Sequence, residues 1–236
     1  MKILIVATSH DQMGDFNKTT GLWFDALAVP YYIFKFADAV ITLASPLGGE
    51  IPLDPKSESI IMSSSTTRKF RKDPEAIALL SDSVTLKSLR AEDFDMVFLS
   101  GGHGAMWDFP KNETLKKLLE AFDAQHKPIG AVSHGVAGLV PLQNNLGEPL
   151  MKGRKLTAFS NTEEQASGLT SIVPFLLESA LVSLGASYSK VPDFLSHVVM
   201  DGNIITGQNP ASSLEVARKL LVLMKDSPKK AQVEVY

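Results

Sequence analysis

Lys2-Ile3-Leu4-Ile5-Val6-Ala7-Thr8 is an unbroken apolar run rich in Ile, with none of the alternation that a half-exposed strand shows. Such a segment reads as a strand covered on both faces, the situation of a parallel sheet flanked by helices. Ala39-Val40-Ile41-Thr42-Leu43-Ala44-Ser45, Asp95-Met96-Val97-Phe98-Leu99-Ser100 and Pro128-Ile129-Gly130-Ala131-Val132 read the same way, each ending in small or turn-forming residues. Helical patterns separate them at 20–38 and 112–125; in the second, Leu115, Leu118, Leu119 and Phe122 recur at helical spacing. Strands alternating with helices predict an α/β chain with a mainly parallel sheet and right-handed crossovers. Pro30 falls within the first helical pattern and predicts a kink or a fresh start there.

Residues 46–69 carry Gly48-Gly49, Pro52, Pro55 and Ser63-Ser64-Ser65, a turn-rich insertion expected to lie over one end of the sheet. Long loops in compact domains are more often functional than idle. Later, 155–159 reads as a strand and 174–184 as a helix stopped by Gly185. Val198-Val199-Met200 and Asn203-Ile204-Ile205-Thr206 flank Asp201-Gly202, a strong hairpin signal that predicts a mixed sheet edge. A last amphipathic helix is expected at 211–224. The chain therefore reads as one domain over 1–225 followed by a polar tail at 226–236.

Composition excludes several classes. With 236 residues, 44% hydrophobic and 21% charged, the chain is neither disordered nor a disulfide-stapled mini-protein. Lys+Arg 23 against Asp+Glu 26 gives a net charge of −3, too balanced for a nucleic-acid surface or a polybasic membrane contact. The opening apolar run is too short for a secretory signal, and no stretch approaches the roughly 18 apolar residues of a membrane span, so a cytoplasmic protein is expected. Cys 0 removes disulfides, thiolate metal sites and every cysteine nucleophile.

Three segments could carry chemistry. Ala131-Val132-Ser133-His134-Gly135-Val136-Ala137-Gly138-Leu139 is a buried strand ending in Ser-His-Gly and running into a small-residue helix. It is similar to a nucleophile elbow, where one side chain stands at a helix N-terminus beside N–H groups that stabilise an oxyanion. Ala131 replaces the first glycine of the hydrolase pattern, and an ordinary strand-to-helix turn is the plainer alternative. Leu99-Ser100-Gly101-Gly102-His103-Gly104 closes another central strand. In an open parallel sheet both turns face one crevice at the carboxyl ends of the strands; the plainer alternative makes His103 a solvent-facing imidazole. Thr157-Ala158-Phe159-Ser160-Asn161-Thr162-Glu163-Glu164 is a strand followed by an acidic helix start, where Glu163 suits the helix dipole. The five histidines, His10, His103, His126, His134 and His197, show no metal-ligand spacing, so no metal or cofactor is expected.

Taken together, Thr20-Gly21-Leu22-Trp23, Ala44-Ser45-Pro46, Pro52-Leu53-Asp54, the Ser100 to Gly104 loop, the Ser133 turn and Gly207-Gln208-Asn209-Pro210 resemble the ThiJ/PfpI superfamily, in particular its glyoxalase III and heat-inducible chaperone branch. The resemblance runs from Lys2 to about Met224. It implies a flavodoxin-like three-layer α/β/α sandwich related to class I glutamine amidotransferases, found as a homodimer. It also implies glutathione-independent conversion of methylglyoxal to lactate, protein deglycation and holdase activity, with a small carbonyl metabolite and unfolded protein clients as partners. The family's catalytic cysteine falls on Ser133, its adjacent histidine on His134 and its third triad member on Glu164. A further family glutamate that shuttles protons falls on Ala26, and neighbouring Asp25 is expected to point elsewhere, because successive helix positions diverge by about 100°. The implied pocket includes Gly101, Gly102, His103, Gly135 and Ala26, with Gly102 and Gly135 as oxyanion donors.

A serine hydroxyl does not ionise near neutral pH and must hand its proton to a base during attack, so Ser133 needs help. His134 is the next residue on the turn and is expected to be a poor candidate to reach Ser133 Oγ; His103 could approach from the facing loop. Two function classes follow: an enzyme of altered chemistry with Ser133 as nucleophile, or a non-catalytic relative that binds a metabolite or unfolding proteins. The second needs an exposed apolar patch, with candidates Leu47, Ile51 and Leu53 and the Trp23, Phe24, Tyr31 and Tyr32 segment, for which core or dimer packing is the competing reading.

Overall fold

The computed structural model describes residues 1–226. Its strands are β1 Lys2–Val6, β2 Val40–Ser45, β3 Val84–Thr85, β4 Met96–Leu99, β5 Ile129–Val132, β6 Lys155–Leu156, β7 Ser187–Tyr188, β8 Val198–Asp201 and β9 Ile204–Gly207. The α-helices are α1 Phe24–Lys35, α2 Pro55–Glu58, α3 Ser65–Phe70, α4 Pro74–Ser81, α5 Ala105–Asp108, α6 Glu113–Ala124, α7 Asn161–Ala166, α8 Leu177–Ser183 and α9 Ser213–Asp226. A seven-stranded sheet runs in the order β3-β2-β1-β4-β5-β9-β8, while β6 and β7 form a separate short ladder. Every pair in the large sheet is parallel except β8 with β9, the hairpin at Asp201-Gly202.

Alternation along the strands builds the two faces. Ile3 and Ile5 of β1 and Met96 and Phe98 of β4 pack with Phe24, Leu27 and Phe34 of α1 and Leu220 of α9. Leu4, Val6, Val97 and Leu99 point the other way, against Leu115, Leu119 and Phe122 of α6 and against Val136 and Leu139 of the 3-10 turn Ser133–Leu139. Both faces are covered, which is why β1 and β4 carry no polar alternation. Asn112 caps α6 through a bond from the Leu115 N–H to its Oδ1, so the helix begins where the pattern placed it.

The structure decides between alternatives at Pro30 and at the aromatic segment, and shortens one strand. α1 continues through Pro30 without a fresh start; Pro30 has no N–H to offer the carbonyl of Ala26, and the buried apolar face of the helix holds it in place. The strand expected over 155–159 is only Lys155–Leu156, and the chain leaves the ladder before Phe159. Phe24, Tyr31 and Tyr32 are core residues, as the packing reading had it, and Ile51 is buried with them, so most of the suggested apolar patch is internal. The tail expected at 226–236 lies, beyond Asp226, outside the described residues.

Candidate active site

The sheet register assembles the site. Leu99 of β4 pairs with Ala131 of β5, so two residues further on Gly101 stands level with Ser133; Val132 pairs with Gly207, which brings Asn209 to the same edge. At this carboxyl edge Ser133 takes φ +56°, one of few non-glycine residues in the left-handed region. Strain of that kind concentrates at functional turns and persists only where the surroundings enforce it. They do so here: a Cβ on Gly101 would lie 2.8 Å from Ser133 Cβ, and one on Gly135 would lie 2.6 Å from the Leu99 carbonyl oxygen. The elbow is wedged between two strand ends with no room for larger residues.

Gly102, at φ +133°, turns the β4 loop against Gly21 and Trp23, where a Cβ would sit 2.4 Å from the Trp23 nitrogen. The Trp23 N–H bonds to the Gly101 carbonyl at 3.0 Å, and the Gly104 N–H to that of Gly21 at 3.3 Å. The start of α1 is thus tied to the loop that carries His103.

His103, His134 and Glu164 meet beneath the elbow. His134 Nε2 lies 2.8 Å from Glu164 Oε2 and His103 Nε2 lies 2.8 Å from Glu164 Oε1, all three side chains being buried. Both imidazoles donate to the ionised carboxylate, which places hydrogen on each Nε2 and leaves Nδ1 of His134 an acceptor. Ser133 Oγ is 3.4 Å from that Nδ1, a long hydrogen bond in which the hydroxyl donates. The two rings lie 4.0 Å apart, and Phe159 packs 4.3 Å from the His134 ring.

Burial, reinforced by neighbouring His103, pushes the His134 imidazole down to about 4. Burial alone would raise the Glu164 carboxyl, but the imidazoles of His134 and His103 outweigh it and hold the group well below the usual carboxylate range. Near neutrality the site therefore holds a carboxylate and a neutral His134 able to take a proton. His103, His134 and Glu164 also offer ligand atoms within 4.8 Å of one another, a grouping that histidine spacing alone did not reveal. The 2.8 Å contacts show these would-be ligand atoms hydrogen-bonded to one another.

Ser133, His134, Gly102 and His103 line a cavity of about 440 Å³. Trp23 and Asp25 from the start of α1 join them, as do Ser64 from the 46–69 insertion and Asn209 beyond β9. Gly101 and Gly135 lie behind the elbow as spacers rather than in the lining, so of the expected oxyanion donors only Gly102 faces the cavity. Glu163 closes a capping box with Ser160 and accepts from the Phe194 N–H and Asn209 Nδ2, holding two rim segments together. That is the structural role expected of it, with more partners.

The structure overturns further expectations, at Ala26, Asp25 and His134, and excludes one alternative, at His103. Ala26 is packed in the core and contributes nothing to the cavity, whereas Asp25, expected to point away, lines it. The stripe facing the cavity is Asp25 and Val29, four residues apart, and Ala26 is rotated off it. Burial raises the Asp25 carboxyl, an effect partly offset by the Ser64 hydroxyl that donates to it at 2.6 Å. His134 does approach Ser133, its Nδ1 standing 3.4 Å from Oγ. His103 is 6% exposed and serves Glu164, so it is not solvent-facing. Asp25, Ser64 and Asn209 were missed as site residues; Gly207-Gln208-Asn209-Pro210 and the serine run at 63–65 were the available signals.

Comparison with known proteins gives a consistent picture. A family model described as the DJ-1/PfpI family matches residues 27–223. The glutathione-independent glyoxalase hsp3101 of Schizosaccharomyces pombe is 30% identical over 230 residues, covering 92% of this chain and 93% of the relative. The crystal structure of the 24 kDa Rapid Encystment Protein of Francisella tularensis superposes with a TM-score of 0.91 at 38% identity, covering 94% of this chain and 98% of the other. That of glyoxalase III from Candida albicans gives 0.87 at 27% identity, covering 94% and 97%.

Proposed function

Because the chain belongs to the DJ-1/PfpI family and yet contains no cysteine, we propose that it does not run the thiol-based glyoxalase reaction and instead attacks a small neutral carbonyl compound through Ser133. The observation that carries this reading is His134 placed between Ser133 Oγ and the Glu164 carboxylate. The reaction class is acyl transfer to water. Ser133 Oγ adds to an ester carbonyl while His134 Nδ1 takes its proton; the C–O bond to the leaving alcohol breaks and that alcohol departs with the proton. Water, deprotonated by the same nitrogen, then cleaves the acyl-serine, releasing the acid and restoring the hydroxyl. Glu164 orients His134, and the Gly102 N–H is the candidate oxyanion donor.

Names of similar proteins, glutathione-independent glyoxalase and glyoxalase III, support carbonyl chemistry in such a pocket. A serine adds to an aldehyde reversibly, without the ionised sulfur that makes a thiol effective at neutral pH. The second reading, a metabolite-binding protein without turnover, is favoured by the 3.4 Å separation of Ser133 and His134, longer than an engaged base shows. The test compares hydrolysis of p-nitrophenyl acetate and D-lactate formation from methylglyoxal in wild type and Ser133→Ala. Ester hydrolysis that disappears in the variant, with little D-lactate from either protein, supports the serine reading. Equal ester rates in both remove Ser133 from the mechanism.

A further inference from the structure

The wall of the cavity specifies more than a carbonyl. Val29, Met62, Phe159, Phe194 and Leu214 supply apolar surface, and among the described residues no Lys or Arg lines it. Among the described residues Asp25 is the one carboxylate in the lining, and the Ser64 hydroxyl already donates to it. The two imidazole Nε2 atoms are engaged by Glu164. A carboxylate or phosphate entering here would lose its hydration without gaining a cation, which is unfavourable for any buried anion. The cavity, at about 440 Å³, falls in the range that holds drug-sized ligands, so a three-carbon dicarbonyl leaves most of it unfilled. Apolar surface also reaches the exterior: Met62 is 47% exposed and Phe194 51% exposed, and both line the cavity.

We propose that the site takes an uncharged ester whose acyl chain is of hexanoyl to octanoyl size, with the carbonyl at Ser133 and the chain against Val29, Met62, Phe194 and Leu214. This rests on the serine-nucleophile reading for its turnover but not for its binding. Each buried methylene favours the longer chain by about threefold to fourfold, so kcat/KM rises roughly tenfold from butanoate to hexanoate. An anionic hemisuccinate ester, similar in length to the butanoate, falls at least tenfold below it.

The test has two arms. In the first, wild type is assayed on p-nitrophenyl acetate, butanoate, hexanoate, octanoate and hemisuccinate, and Leu214→Trp is assayed on the same series. The expected result is a rise with chain length, discrimination against the hemisuccinate, and a hexanoate-to-acetate ratio that drops severalfold in Leu214→Trp. In the second, Ser133→Ala is titrated calorimetrically with hexanamide and with hexanoate, the amide binding at least tenfold more tightly. If the amide is preferred while no ester is turned over, the chain-binding site stands and the serine reading fails. If esters are hydrolysed with no gain from length, or the hemisuccinate equals the butanoate, the substrate class proposed here is overturned while the serine reading stands.

Discussion

His134 Nε2 lies 2.8 Å from Glu164 Oε2, and that contact sets which nitrogen of the imidazole can act as a base. With the proton held on Nε2, the lone pair on Nδ1 faces Ser133. The second oxygen of the carboxylate receives His103, so one buried group satisfies two rings.

Glu164→Gln breaks this symmetry, because an amide accepts through its oxygen but presents a donor where the second oxygen stood. One imidazole must change tautomer or lose its partner. We expect kcat on a neutral ester to fall roughly 10²- to 10⁴-fold with little change in KM, accompanied by a lower Tm from the half-satisfied network. Steady-state kinetics and thermal unfolding of the variant check both; an unchanged kcat would remove His134 as the base.

Ser133→Cys places a thiol at the start of the 3-10 turn beside His134, in a chain with no other cysteine. An ultraviolet thiolate titration then reports that single group, expected below the ordinary thiol value of about 8.5. D-lactate formation from methylglyoxal should rise at least tenfold over wild type. A depressed thiol without D-lactate would locate the defect elsewhere in the cavity, with Asp25 the acidic side chain that lines it, instead of at the serine.

The pH dependence follows from His134, pushed down to about 4 by burial and by His103. The acid limb of kcat/KM should fall near that value and not near the roughly 6.5 of an unperturbed imidazole. Stability moves in the same direction. In the unfolded chain the imidazole binds its proton at about 6.5, so the contribution of the neutral, buried form is complete above that pH and is lost as pH falls toward the folded value. Glu164, held low, adds a loss below its unfolded value of about 4.3. Urea midpoints measured from neutral to acid pH should decline through this window, and less so in His134→Asn.

Asp108 carries the opposite sign. Burial raises its carboxyl to about 6, against the bonds it accepts from the Ser9 N–H and the Thr8 hydroxyl. Its folded value lies above the unfolded one, so its favourable contribution is complete below the unfolded value and is lost as pH rises through about 6. Asp108→Asn should therefore gain a few degrees in Tm at about pH 8 and nothing at about pH 4.5. An equal loss at both pH values would mean that the bonds to Thr8 and Ser9 outweigh the buried charge.

Much of the architecture was legible because it rests on short-range rules. The unbroken apolar runs at β1 and β4 named a sheet covered on both faces, and Asp201-Gly202 fixed the hairpin between β8 and β9. Motif order then brought Ser133, His134 and Glu164 forward as one group. What remained hidden was set by angles that residue identity does not encode. The phase of α1 decides whether position 25 or 26 meets the cavity, and a one-residue difference moved that role from Ala26 to Asp25. The positive φ of Ser133 was hidden too, since a serine gives no hint of left-handed backbone as a glycine would. His103 could be placed near the elbow from strand register, but its bond to Glu164 depends on where α7 docks, a tertiary outcome.

The most direct test of the whole account is covalent: treat the wild-type protein with an alkyl fluorophosphonate and locate the adduct by peptide mass spectrometry. An activated hydroxyl should give one adduct, on Ser133, strongly reduced in His134→Ala and absent from Ser133→Ala. A Ser133 left unmodified in ligand-free protein that, titrated separately, still binds hexanamide would contradict it, because the alcohol would then have a pocket and neighbours but no base at work.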